Sequence, residues 1–148
     1  MGVNGTLNIE ATVDNLGKVN EFIEGKLEEA GCPDLLMMTI ELAVEEVFVN
    51  IAHYAYGKVD ESGNAIPDTG TGPARIDVSA GDGEVAITFT DGGMPYDPLK
   101  KEDPDTSLSA DERSIGGLGI YMVKKSMDDC LYHRDGSNNV LTIKKKLN

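Results

Sequence analysis

Apolar positions in this chain recur with two periods. Residues 6–12 (TLNIEAT) alternate apolar and polar side chains, the pattern of a half-buried strand. Residues 15–30 instead repeat apolar residues every three or four positions, at Leu16, Val19, Phe22, Ile23 and Leu27, which predicts a helix with one buried stripe. Asp14 is the expected cap and Gly31 the expected stop. Pro33 sits where a first helical turn tolerates proline. A longer helix then covers 34–56, with no glycine or proline from Leu35 onward and a stripe at Leu36, Ile40, Val44, Val47 and Ile51.

The second half is more broken. Residues 57–73 are rich in Gly, Pro and Asp and too long for a tight turn, so they predict an excursion or flexible loop. Strands follow at 74–79 (ARIDVS) and 85–90 (VAITFT), joined by the hairpin signal Gly81-Asp82-Gly83. Residues 96–115 are polar, acidic and irregular, a lid-like loop. A short helix is expected over 120–127, then strands at 130–134 and 139–147 around Asp135-Gly136. The order predicts an α+β fold, a two-layer sandwich of a mostly antiparallel sheet with its helices on one face, in a single domain over 1–148.

Composition narrows the setting. A chain of 148 residues, 40% hydrophobic and 26% charged, suits one domain with a sizeable core. No run of 18 apolar residues predicts a membrane span, and the first residues lack a secretory pattern, so a cytoplasmic protein is expected. Cys32 and Cys130 belong to no C-x-x-C motif and are expected to be reduced, buried thiols. A net charge of −13 argues against direct nucleic-acid or anionic-membrane binding. Any phosphate ligand would have to be held by local donors and a metal.

Three signals could carry chemistry. Glu46 and Asn50 are four apart on the long helix, one above the other, amid Val47, Phe48, Val49, Ile51 and Ala52. An exposed Glu46 with a locally packed Asn50 is the plainer alternative. Asp91-Gly92-Gly93 ends a strand: an ordinary turn, or a carboxylate placed to accept from an exocyclic amine, with Gly93 letting a flat ring approach the backbone. Gly116-Gly117-Leu118-Gly119 opens a helix, and a glycine-rich turn there offers N–H groups and a positive dipole end to phosphate. It is also consistent with a simple connection. It is no dinucleotide fingerprint, because no strand runs straight into it, and no P-loop, because the Gly-Lys-Ser/Thr ending is missing.

As an ordered set, these motifs resemble the GHKL ATPase superfamily, which includes gyrase and histidine kinases, and within it the small anti-sigma-factor serine/threonine kinases. The resemblance runs from Thr6 to Leu147. It implies the Bergerat, or histidine-kinase-like, ATPase fold and the cofactors ATP and Mg²⁺. It implies that Glu46 is the general base and that Asn50 ligates a Mg²⁺ bridging the ATP phosphates. Asp91 would hold the adenine amine beside Gly93, with Gly117, Leu118 and Gly119 along the phosphates under a lid of residues 96–115. Arg113 in that lid is a candidate contact to the terminal phosphate. Thr142 is the equivalent that the last strand offers for the family's adenine-pocket threonine. Relatives often carry histidine four residues after the asparagine; here Tyr54 stands there, and His53 is read as a packing histidine. The 57–73 excursion is unusual for a minimal member.

The function implied is an ATP-dependent serine/threonine protein kinase acting as an anti-sigma factor in transcription regulation. Its substrate would be a STAS-type anti-sigma antagonist, its second partner a sigma factor, and its assembly a homodimer. A histidine kinase would need a dimerisation helix pair and a gyrase-like ATPase a transducer domain, for which this length leaves no room. The alternatives are a nucleotide-binding regulatory module that sequesters a protein partner without phosphotransfer, and an interaction domain that binds no nucleotide.

Overall fold

The computed structural model describes residues 2–63, 66–100 and 117–147. Five strands, β1 (Val3–Glu10), β2 (Pro73–Gly81), β3 (Glu84–Asp91), β4 (Asp129–Asp135) and β5 (Asn138–Lys146), form one antiparallel sheet in the order β1-β2-β3-β5-β4. Three helices, α1 (Leu16–Glu29), α2 (Asp34–Tyr54) and α3 (Gly117–Ser126), complete the α+β architecture. Alternation explains why the helices share one face. In β2 and β3 every second residue is buried, placing Ile76 and Val78 beside Ile87 and Phe89. Leu141 and Ile143 extend that face through β5. Val19, Ile23 and Leu27 of α1 and Ile40, Val44, Val47 and Phe48 of α2 close over it in a single apolar cluster.

Turn chemistry sets the register. Asp82 (φ 55°) and Gly83 (φ 79°) both adopt positive φ, as a two-residue hairpin between right-twisted strands requires, so Gly81 pairs with Glu84. Gly136 (φ 59°) plays the corresponding part between β4 and β5.

Several boundaries differ from expectation for physical reasons. β1 spans Val3–Glu10 rather than 6–12, because all eight residues pair with β2. Gly5 broke the visible alternation, yet it points inward against the stem of Lys26. Asp14 caps nothing: it lies in a 3₁₀ turn, Val13–Asn15, and Asn15 precedes α1 without a side-chain cap. The Asn15 amide instead donates to the Glu10 carbonyl at 2.9 Å, fastening the end of β1. Pro33 stands just before the first turn of α2, extended at ψ 146°. Cys32 is buried, but Cys130 on edge strand β4 is only half-buried; both thiols are free, and burial pushes each up. The 57–73 excursion is tied back by specific bonds: Asp68 N–H to the His53 carbonyl (2.9 Å), Ile66 N–H to the Lys58 carbonyl (2.7 Å) and Lys58 N–H to Thr69 Oγ1 (2.6 Å). Among the described residues, no helix is long and apolar enough to cross a membrane.

The rotation of α2 decides which side chains reach a ligand. Phe48 is fully buried, whereas Leu42 is 58% exposed. Truncating Phe48 to Ala should therefore cost about 3–5 kcal/mol, and Leu42→Ala should stay within about 0.5 kcal/mol, both by urea unfolding. Equal losses would mean that α2 is rotated differently.

Candidate nucleotide site

A cleft of about 300 Å³ opens between α2, the start of α3 and the β3–β5 end of the sheet. Its lining includes Asn50, Ile51, Asp91, Met94, Ile120 and Asn139. The last turns of α2 form one wall because Val47 and Ile51 are drawn into the core, which turns Asn50 toward the cavity. Asn50 is half-buried, and its side-chain amide has no hydrogen-bond partner among the described residues. One turn earlier, Glu46 is exposed and does not line the cleft. Its Oε2 instead lies against the first turn of α3, so close that a Cβ built on Gly119 would stand 2.2 Å from it. Glycine at 119 leaves room for the Glu46 carboxylate in that position; a side chain there would push it aside.

Across the cavity, Asp91 is 6% exposed at the last position of β3. Its Oδ1 accepts from the Gly93 N–H at 2.9 Å and from Asn139 Nδ2 at 3.0 Å. Gly93 was expected to leave room for a flat ring; it leaves room for α2 instead. A Cβ there would meet the Ala55 carbonyl oxygen at 2.1 Å, and Met94 N–H donates to that same oxygen at 2.9 Å. Tyr56 clamps the turn from the other side. It accepts from the Gly92 N–H at 2.7 Å and donates to the Pro73 carbonyl, while its ring occupies the space beside Gly72. Burial pushes the Tyr56 hydroxyl up, the nearby Asp91 charge acting in the same direction and the Gly92 bond against it. Burial likewise raises Tyr96.

The structure brings Asn50 and Asp91 to one cavity and Glu46 to Gly119, which with Gly117 and Leu118 lies in the first turn of α3. It does not bring Thr142 there. Thr142 projects from the opposite face of the sheet, where its hydroxyl shares a 3.1 Å hydrogen bond with Thr88, because Asn139, Leu141 and Ile143 take the inward positions of β5. Arg113 and most of the 96–115 lid lie outside the described residues. His53 shares a 2.5 Å hydrogen bond with Asp68 of the excursion. Sequence reasoning missed Asn139. The signal was present: period-2 alternation in NNVLTIKKK puts this amide on the apolar face with Leu141 and Ile143.

The chemistry this can support is recognisable. A buried carboxylate at one end can accept from a base. An amide without a protein partner can ligate a hard cation through its oxygen, and a cation held mainly by phosphates and water needs few protein ligands. Among the described residues, no group of three or more His, Cys, Asp or Glu could hold a metal by itself.

No curated protein matches the chain. Among solved structures, the RsbU and RsbW domains of Rv1364c from Mycobacterium tuberculosis superpose with a TM-score of 0.58 at 18% identity, over 97% of this chain and 32% of that one. This chain therefore spans about a third of that protein's solved length. The Acinetobacter baumannii histidine kinase AdeS superposes with a TM-score of 0.50 at 16% identity, over 97% of this chain and 68% of that one. At such identities the likeness is one of fold. A family model described as a histidine kinase-like ATPase domain matches residues 9–145, nearly the whole chain, and the chain belongs to that family.

Proposed function

We propose that this domain is an ATP-dependent serine/threonine protein kinase that acts as an anti-sigma factor, phosphorylating a STAS-type anti-sigma antagonist and holding a sigma factor as its second partner. The observation that carries the reading is the pairing on α2: Glu46 against Gly119 at the start of α3, and one turn later Asn50 in the cleft, its amide without a partner among the described residues. A pure binding module has no need of an acid at that point. The RsbW domain in a structural neighbour supports the choice of pathway, as does the resemblance of the ordered motifs.

Each residue has its own work. Asp91 accepts from the adenine amine. The Asn50 side-chain oxygen would be the protein ligand for Mg²⁺, and the N–H groups of the first turn of α3 would hold the phosphates, aided by the helix dipole. Mg²⁺–ATP, when bound, supplies the transferable phosphoryl group. Glu46, exposed and set against the start of α3, would take the proton from the partner's hydroxyl as that oxygen bonds to the γ-phosphorus, the bond to the β-phosphate oxygen breaks and ADP leaves. These local donors matter because the chain's net charge of −13 offers phosphate no attractive field.

The reading is tested by incubating the protein with labelled ATP, Mg²⁺ and a STAS-type antagonist; label on antagonist serine or threonine is expected. Asn50→Ala should lose both Mg²⁺–ATP affinity and transfer. Glu46→Gln should keep affinity within about threefold, because a base acts mainly in the transition state, while transfer falls by about 10²–10⁴-fold. Wild-type transfer rates from folded Glu46→Gln protein would remove Glu46 from the chemistry. Wild-type protein that binds Mg²⁺–ATP and partner but labels nothing would favour a module that sequesters its partner.

Asp91→Asn removes the charge from the base-reading acceptor. Adenine nucleotides should weaken by roughly tenfold, and guanine nucleotides by much less, in a competition titration. Equal weakening would exclude Asp91 from reading the base.

A further inference from the structure

We propose that Asn139 is the positioning residue behind base selection in this cleft: it holds one oxygen of the Asp91 carboxylate so that the other is offered to an exocyclic amine. This rests on the adenine-nucleotide reading above and adds a determinant that the ordered motifs do not contain.

Asp91 (6% exposed) and Asn139 (7%) are the buried polar side chains among the described residues, and they are bonded to each other. Every polar atom of Asn139 is engaged. Nδ2 donates to Asp91 Oδ1 at 3.0 Å and to the Met94 carbonyl at 2.8 Å. Oδ1 accepts from the Tyr132 hydroxyl at 2.5 Å, Arg134 Nη1 at 3.1 Å and the Tyr96 N–H at 3.2 Å. The amide cannot be flipped, since its NH₂ would then face an N–H and a guanidinium that only donate, and its oxygen would face two acceptors. Arg134 Nη1 also donates to the Gly93 carbonyl at 2.9 Å, so the same guanidinium holds the turn that presents Asp91.

The consequence falls on Asp91. Oδ1 is occupied by Gly93 and Asn139, and Oδ2 receives no hydrogen bond among the described residues. A carboxylate fixed at one oxygen by two donors cannot rotate away, and its free oxygen still has acceptor capacity. Adenine presents an amine donor at its six position, whereas guanine presents a carbonyl acceptor there. The pinned carboxylate therefore favours the first and repels the second. Without Asn139, Asp91 keeps one tether and can turn, and the preference should fade even though the carboxylate remains.

The test compares Mg²⁺–ATP with the Mg²⁺ salt of purine riboside triphosphate, which has the same sugar and phosphates but no amine, by calorimetry on the full chain. Wild type should prefer ATP by about 10- to 100-fold, the worth of one charge-assisted hydrogen bond. In Asn139→Ala that ratio should fall to within about threefold, through lost ATP affinity, with the analogue's affinity nearly unchanged. A general structural defect would weaken both ligands alike and keep the ratio, and that result overturns the role of Asn139. Tyr132→Phe removes only the hydroxyl that donates to Asn139, and it should lower the ratio by at least about threefold. Should Asn139→Ala not fold, an unchanged ratio in Tyr132→Phe overturns the proposal by itself. Wild type that binds both ligands equally, or neither, overturns the base-reading itself and is distinguishable from a failure of Asn139 alone.

Discussion

How closely the end of α2 approaches the turn after β3 governs everything else in the cleft. The approach is possible because residue 93 has no side chain: a Cβ would stand 2.1 Å from the Ala55 carbonyl oxygen. That oxygen instead accepts from the Met94 N–H. Tyr56, just beyond the helix, then bonds both Gly92 and Pro73, joining helix, β2 and turn. With that end pinned to the sheet and Val47 and Ile51 sunk in the core, Asn50 and Asp91 have little freedom to separate. The site is thus preorganised by packing and by short backbone contacts rather than by charge.

A second glycine does the same at the other end. Gly119 gives Glu46 its place beside the start of α3, so the acid stays solvent-accessible yet touches the turn whose N–H groups would face phosphate. Two close approaches mark the two ends of the constellation: at Gly93 a Cβ would meet backbone, and at Gly119 it would meet the exposed end of Glu46. An alanine at either position would have to displace backbone or the acid itself, which is why these glycines carry more meaning than those in the hairpins.

Much of this was legible in the sequence, for identifiable reasons. Period-3.6 and period-2 patterns reveal which face of an element is apolar, so the helices and the sheet strands could be read and the helices collected on one face. The ordered acid, amide, aspartate and glycines pointed to the family. What could not be read depended on register and on contacts between distant segments. Gly5 hid the start of β1, because an inward glycine breaks the alternation that pairing with β2 preserves. Asp14 had the right chemistry for a cap, but the chain enters α1 through a 3₁₀ turn. Thr142 had the right residue type in the right strand but the wrong parity, and Asn139, three positions earlier, takes the inward place beside Asp91. Gly93 was singled out for the right property, with its beneficiary a helix end in place of a ligand.

Under the proposed function, this cleft, with Asp91 at one end and Asn50 at the other, would hold Mg²⁺–ATP. The most direct measurement is an amide NMR titration of the full chain with Mg²⁺ and a non-hydrolysable ATP analogue. The largest shifts are expected at the Gly92 and Gly93 backbone amides and the Asn50 and Asn139 side-chain amides, with little change at Thr88 and Thr142 on the opposite face of the sheet. Saturating analogue that leaves those four amides unmoved, or that shifts mainly the opposite face, would contradict it.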